Sequence, residues 1–164
     1  MCTKLGLLAS LVSLLACGSS GPELETLTKG DVTGLPAGNA TGASFSGTYV
    51  IASSVLGGCH CRQGPCSEIR ASTGHGLVVT QTNGDLRVDE NGDIYLGGIN
   101  QDGRLRCGHS ASTDVSTLFI RWEGTAVAEK SLDVVSDLTY VGTIDGQNYD
   151  CDAETHFQAT YLGP

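Results

Sequence analysis

The chain has 164 residues, room for one domain of ordinary size and little more. It sets 18 Asp and Glu against 9 Lys and Arg, a formal net charge of −9, and a surface that acidic repels nucleic-acid phosphates, so no nucleic-acid partner is expected. With 40% hydrophobic residues the chain is too apolar for disorder, and its 23 Gly among many Thr, Ser and Val disfavour a helical bundle, which leaves an all-β domain.

Met1 to Lys4 is a short head with one positive charge, and Leu5 to Leu15 is apolar apart from Ser10 and Ser13. That run fits the roughly 7–15 apolar residues of an export signal and falls short of the about 20 that a spanning helix needs. It ends on Leu14-Leu15-Ala16-Cys17, which resembles the bacterial lipobox: an aliphatic residue, a tolerant position, a small residue and an obligatory Cys. The resemblance implies a lipoprotein signal peptide over 1–16, whose removal takes Cys2 and Lys4 with it. It also implies a diacylglycerol thioether on Cys17 and an acyl chain such as palmitate on the freed amine. Each buried acyl CH₂ adds about 0.8 kcal/mol, so several chains make a firm anchor in a lipid bilayer. Gly18, not Asp, follows the cysteine. In lipoproteins of this type that implies the outer membrane of a Gram-negative envelope, on its periplasmic or its surface face.

Residues 17–43 read as the lipidated cysteine and a flexible tether, because Gly, Ser, Thr, Pro and Ala with scattered charges show no period that could bury a face. Residues 44–164 read as the folded domain. Its strands are expected over 45–52, 77–82, 86–89, 94–99, 105–110, 117–128, 132–144 and 154–162. Asn83-Gly84, Asn91-Gly92 and Asp102-Gly103 separate four of them, and such dipeptides tolerate the positive φ that tight hairpins demand. A loop is expected after Asp145-Gly146. Leu118, Ile120 and Trp122 alternate with Phe119, Arg121 and Glu123, and Phe157, Ala159 and Tyr161 alternate with His156, Gln158 and Thr160. One apolar face per strand predicts an up-and-down antiparallel meander of about eight strands that closes into a small barrel and so removes its edges. A β-sandwich built from the same meander is the alternative. Gly47-Thr48-Tyr49 on the opening strand resembles the Gly-x-Trp of lipocalins, with Tyr in place of Trp, which implies a lipocalin-like barrel.

Five cysteines follow the anchor: Cys59, Cys61, Cys66, Cys107 and Cys151. Export favours disulfides among them. In an eight-strand meander the last strand starts at the end where the first one finishes, so a bridge from Cys59 or Cys61 to Cys151 is expected. Cys107 would then pair with Cys66 or with whichever of Cys59 and Cys61 remains, and the odd number leaves one thiol over. A competing reading takes Cys59-His60-Cys61 and Cys66 as soft ligands for Cu or Zn, although Cys-x-Cys is not the Cys-x₂-Cys of a zinc knuckle.

No other motif carries chemistry. Asp89-Glu90-Asn91-Gly92-Asp93 crowds oxygen ligands, but a calcium loop starting at Asp89 needs Gly and Glu where Ile94 and Asn100 stand, so it reads as a hairpin turn. Nucleophile elbows, phosphate loops and His-Glu-x-x-His are absent from the sequence. No catalytic residue and no cofactor is therefore assigned. The expected role is a binding or structural module, not an enzyme, with a small apolar ligand or another envelope protein as partner. A metal-handling lipoprotein and a small hydrolase without a sequence motif are the alternatives.

Overall fold

The computed structural model describes residues 24–164; the expected signal peptide, Cys17 and the first part of the expected tether lie outside the described residues. A four-residue helix, α1 (Lys29–Val32), precedes eight strands. These are β1 (Gly47–Gln63), β2 (Gly76–Thr82), β3 (Asp85–Glu90), β4 (Asp93–Ile99), β5 (Arg104–Ser112), β6 (Ser116–Val127), β7 (Ser131–Ile144) and β8 (Gln147–Gly163). Each strand pairs antiparallel with its neighbour in the chain, and β8 returns to β1, so the sheet closes into the expected barrel and not into a sandwich. No helix among the described residues is long and apolar enough to cross a membrane.

The turn chemistry works as the dipeptides imply. Asn91 and Gly92 take φ of 54° and 100°, and Asp102-Gly103 forms a slightly longer turn with Gly103 at 82°. Asp145 and Gly146 take 51° and 81° and make a tight hairpin, not the expected loop, so β8 begins at Gln147. The sequence hides this stretch because both of its faces are covered: Tyr149 and Cys151 are buried on one, Asp152 on the other. β1 likewise runs eleven residues past the expected end at Ala52. Its register against β8 shifts between Ile51 and Ser53, Leu56 and Gly58, and Cys61 and Gln63, and each shift breaks the two-residue period that marks a strand.

Strand lengths make the barrel oblique. β6, β7, β8 and β1 form a tall wall of 12 to 17 residues per strand, while β2 to β5 form a short wall of 6 to 9. The upper rim carries the β3–β4, β5–β6 and β7–β8 turns; the β2–β3, β4–β5 and β6–β7 turns lie at the lower end. Tyr49, Leu77, Val88, Ile99, Trp122 and Val134 belong to one continuous core inside the lower part. Burying each such side chain stabilises by about 1.5–3 kcal/mol.

Where a flexible tether was expected, residues 24–46 form a strap bound to the barrel. Leu27, Val32 and Ala40 are buried, which scattered single apolar residues in a polar stretch do not announce. α1 starts at a Thr28–Asp31 capping box, in which the Asp31 carboxylate accepts hydrogen bonds from the Thr28 N–H and hydroxyl at 2.7 and 2.6 Å. The helix lies against β5, where a Cβ on Gly108 would come within 2.4 Å of the Val32 carbonyl oxygen. The strap then crosses the lower end. Gly38 donates its N–H to the Gly84 carbonyl at 2.8 Å, and Ala40 donates to that of Ile99 at 3.1 Å. A Cβ on Gly38 would stand 2.0 Å from the Ile99 oxygen, so only glycine permits this approach. Phe45 completes the seal: its N–H donates to buried Gln81 Oε1 at 2.9 Å, and its carbonyl accepts from Tyr49 Oη at 3.1 Å.

Candidate functional site

The sealed lower end directs attention to the upper rim. Below Trp122 the interior is filled, with a void of only about 10 Å³ among Phe45, Leu86, Ile99, Leu105 and Val134. Above it opens a cup of about 110 Å³. Its floor is an aromatic stack: Tyr95 lies over Trp122 with ring centroids 4.0 Å apart, and Phe157 meets Trp122 edge-on at 4.9 Å. Its walls are polar, with Ser54, Ser72, Glu90, Ser136 and Thr155, and with Arg70 from the connection between β1 and β2. Tyr95 Oη donates to Glu90 Oε2 at 3.2 Å. Burial, reinforced by the Glu90 carboxylate, pushes the Tyr95 phenol far above its ordinary value, so it stays a neutral donor.

The cup is smaller than the roughly 150 Å³ cavity that takes up benzene, and well below the about 300–1,000 Å³ of ordinary ligand pockets. It admits the tip of a ligand and not a bulky apolar molecule. Among the described residues no histidine lines it; His75 stands over Glu90 with Nδ1 3.5 Å from Oε1. Among the described residues no hydrogen bond joins a serine of the cup to a histidine. His109 Nδ1 is 3.0 Å from the Ile94 carbonyl oxygen, and His156 Nε2 is 2.9 Å from Glu154 Oε1. Asp89 Oδ1 accepts the Gly92 N–H at 2.9 Å, the hairpin role expected of that acidic run.

The tall wall carries the sulfur. β8 stays in unbroken register with β7, so Cys151 falls on the same face as Phe157, the face of the core. Cys61 is its register partner on β1, and the two are bonded. This is the expected bridge from the Cys59/Cys61 pair to Cys151. The second pairing differs from expectation: Cys66 bonds to Cys59, pinning the short 3₁₀ turn Cys66–Glu68 back onto β1, and Cys107 is the thiol left over. The reason is position. Cys107 is the register partner of Trp122 on β5, fully buried in the filled core. Burial pushes its thiol up to about 12, which leaves it unreactive at neutral pH.

The two disulfides lie side by side. Cys61 Sγ is 3.5 Å from Cys66 Sγ and 3.8 Å from Cys59 Sγ, and the three sulfurs all lie within 4.8 Å of one another. His60, proposed with them as a ligand, is not part of this group. Strand alternation carries it to the opposite face, opposite Asp152 in register.

A second polar cluster, on the outside of the tall wall, holds the strap. Asp152 is only 2% exposed; Thr139 Oγ1 and Thr26 Oγ1 each donate to it at 2.7 Å, as does Arg62 Nη1. The Leu27 N–H donates to Thr139 Oγ1 at 2.8 Å. Burial works to raise the Asp152 carboxyl, but the hydrogen bonds from Thr139, Thr26 and Arg62 outweigh it and hold the group below its ordinary value. The hydrogen bond from Arg62 also lowers Asp150. Arg121 clamps Glu25 and Asp137 at 2.7 Å each, and its hydrogen bond lowers Glu25. Sequence reasoning assigned no role to Asp152, Arg62 or Arg121. No local signal was available, since Thr26 and Asp152 are 126 positions apart.

Comparisons of the chain with protein-family models, with curated proteins and with solved structures find no match. The class is therefore defined by architecture alone: an eight-stranded antiparallel barrel, compatible with a lipocalin-like one, stapled by two disulfides.

Proposed function

We propose that the chain is an exported, lipid-anchored lipoprotein of a bacterial outer membrane, held by Cys17, whose barrel is a binding module that engages a partner through its upper rim. The carrying observation is the contrast between a plugged, strapped lower end and a rim where two disulfides fix an irregular wall around a small polar cup. Disulfides in this number accord with the oxidising compartment that the export signal implies. Recognition residues on loops held by a rigid scaffold are the usual arrangement for binding. The cup suits a small polar or aromatic tip of another envelope protein better than a free apolar ligand.

The test is mass spectrometry of the chain purified from a bacterial envelope, beside a Cys17→Ala variant. The reading expects a polypeptide beginning at Cys17 with acyl mass on that residue, and release of the variant from the membrane fraction. A native chain that keeps its leader, or carries no lipid at position 17, would overturn it.

A further inference from the structure

The sulfurs of the two disulfides are in mutual contact, and the geometry at the rim points to a second use for them. A tetrahedral Zn²⁺ site with Zn–S bonds of about 2.3 Å has sulfur–sulfur edges of about 3.8 Å. Two such edges already exist, Cys59 to Cys61 at 3.8 Å and Cys61 to Cys66 at 3.5 Å. The remaining sulfur, of Cys151, lies outside that group of three but is bonded to Cys61, one of its members. We propose that Cys59, Cys61, Cys66 and Cys151, when reduced, form a four-thiolate site for a soft d¹⁰ cation such as Zn²⁺. The rim would then alternate between a two-disulfide state and a metal-bound state. The inference does not depend on the anchor or on the binding role of the cup.

The redox steps balance with a dithiol as reductant. Cys59 and Cys66 are half-buried, so a dithiol can reach their bond; it becomes a disulfide and leaves two thiols on the protein. The Cys66 thiolate then lies 3.5 Å from Cys61 Sγ. Its attack forms a Cys61–Cys66 bond and expels the Cys151 thiolate, which is otherwise fully buried. A second dithiol reduces Cys61–Cys66, becoming a disulfide in turn. Two dithiols thus deliver the four electrons and four protons that convert two disulfides into four thiols. Zn²⁺ takes four sulfurs as the four thiol protons leave. The ligands come from β1, the following turn and β8, so the ion would cross-link the same three elements as the disulfides.

The experiment uses the full chain with Cys2→Ser and Cys17→Ser, reduced by a dithiol and transferred without oxygen to buffer with Zn²⁺, or with Co²⁺ as a spectroscopic probe. The expected result is one ion per chain in the reduced protein and none in the oxidised one. Co²⁺ should give the intense bands of tetrahedral thiolate coordination. Cys66→Ser and Cys151→Ser should each weaken binding by more than the roughly 10–100-fold lost with an outer hydrogen-bond partner of a ligand. His60→Ala should leave binding unchanged. Should reduction unfold the barrel, Zn²⁺ must restore its circular dichroism. A reduced protein that takes up no ion, that is not refolded by one, or that binds equally well without Cys151 overturns the proposal.

Discussion

The lower and upper halves of this barrel hold their shape by different physics. Below Trp122 the interior is filled, and a strap with close glycine contacts shuts the end. Above it β1 loses its period three times, its far edge has no partner strand among the described residues, and covalent bonds take over where packing runs out. The difference shows that a chain can keep one end of a closed sheet irregular, and so available for chemistry, when the other end supplies the apolar burial. Three perturbations break or sharpen that contrast, in order of expected effect.

Replacing Cys61 and Cys151 together by Ala removes a link across 90 residues. The chain-entropy estimate for a loop of that length is about 4–5 kcal/mol, to be read from denaturant unfolding. Hydrogen exchange should quicken in β1 beyond Ser54 and in its β8 partners, while β2 to β5 keep their protection. Equal loss of protection in both halves would show that the rim and the core are one cooperative unit.

Asp152→Ala leaves Arg62, Thr26 and Thr139 without their shared acceptor and should destabilise by about 3 kcal/mol, the upper end of what hydrogen bonds to a charged group contribute. The acid response follows from the same group. Its carboxyl, like those of Asp150 and Glu25, titrates below its unfolded value. The stabilisation is therefore complete above the ordinary carboxylate range near about pH 4 and disappears as pH falls through the lowered native values. The Leu27 amide should lose exchange protection in that window before the amides of β6 and β7 do. Protection unchanged down to global unfolding would detach the strap from these carboxylates.

The smallest effect is expected from Gly38→Ala, which forces a methyl group against the Ile99 carbonyl and should cost about 2 kcal/mol by overpacking. It should raise exchange at the Ala40 amide and leave the cup and the disulfides untouched. Neutrality in thermal unfolding would mean that the crossing is looser than its contacts imply.

The two halves were also unequally legible. Regular alternation and Gly-containing turns made the meander readable wherever only one face of a strand is covered, and the path of that meander was enough to bring the Cys59/Cys61 pair to Cys151, without choosing between the two. The Asp150–Asp152 stretch was not readable, because the strap covers the second face and erases the apolar-polar contrast. The strap itself binds through isolated residues, Leu27, Val32 and Ala40, whose partners are distant in sequence. The Cys59–Cys66 pairing depended on how far β1 continues, which its bulges conceal.

From Ala52 to Gln63, β1 bonds to β8 on one side and meets no strand on the other among the described residues. An open row of backbone donors and acceptors invites the corresponding strand of a neighbouring molecule, and Val55, 65% exposed, would add an apolar attraction. The bulges remove that hazard, since each turns the strand and takes its amides out of line with any straight neighbour. Molecules crowded together should therefore stay separate along this margin, and straightening β1 by deleting one bulge residue should be enough to make them stack.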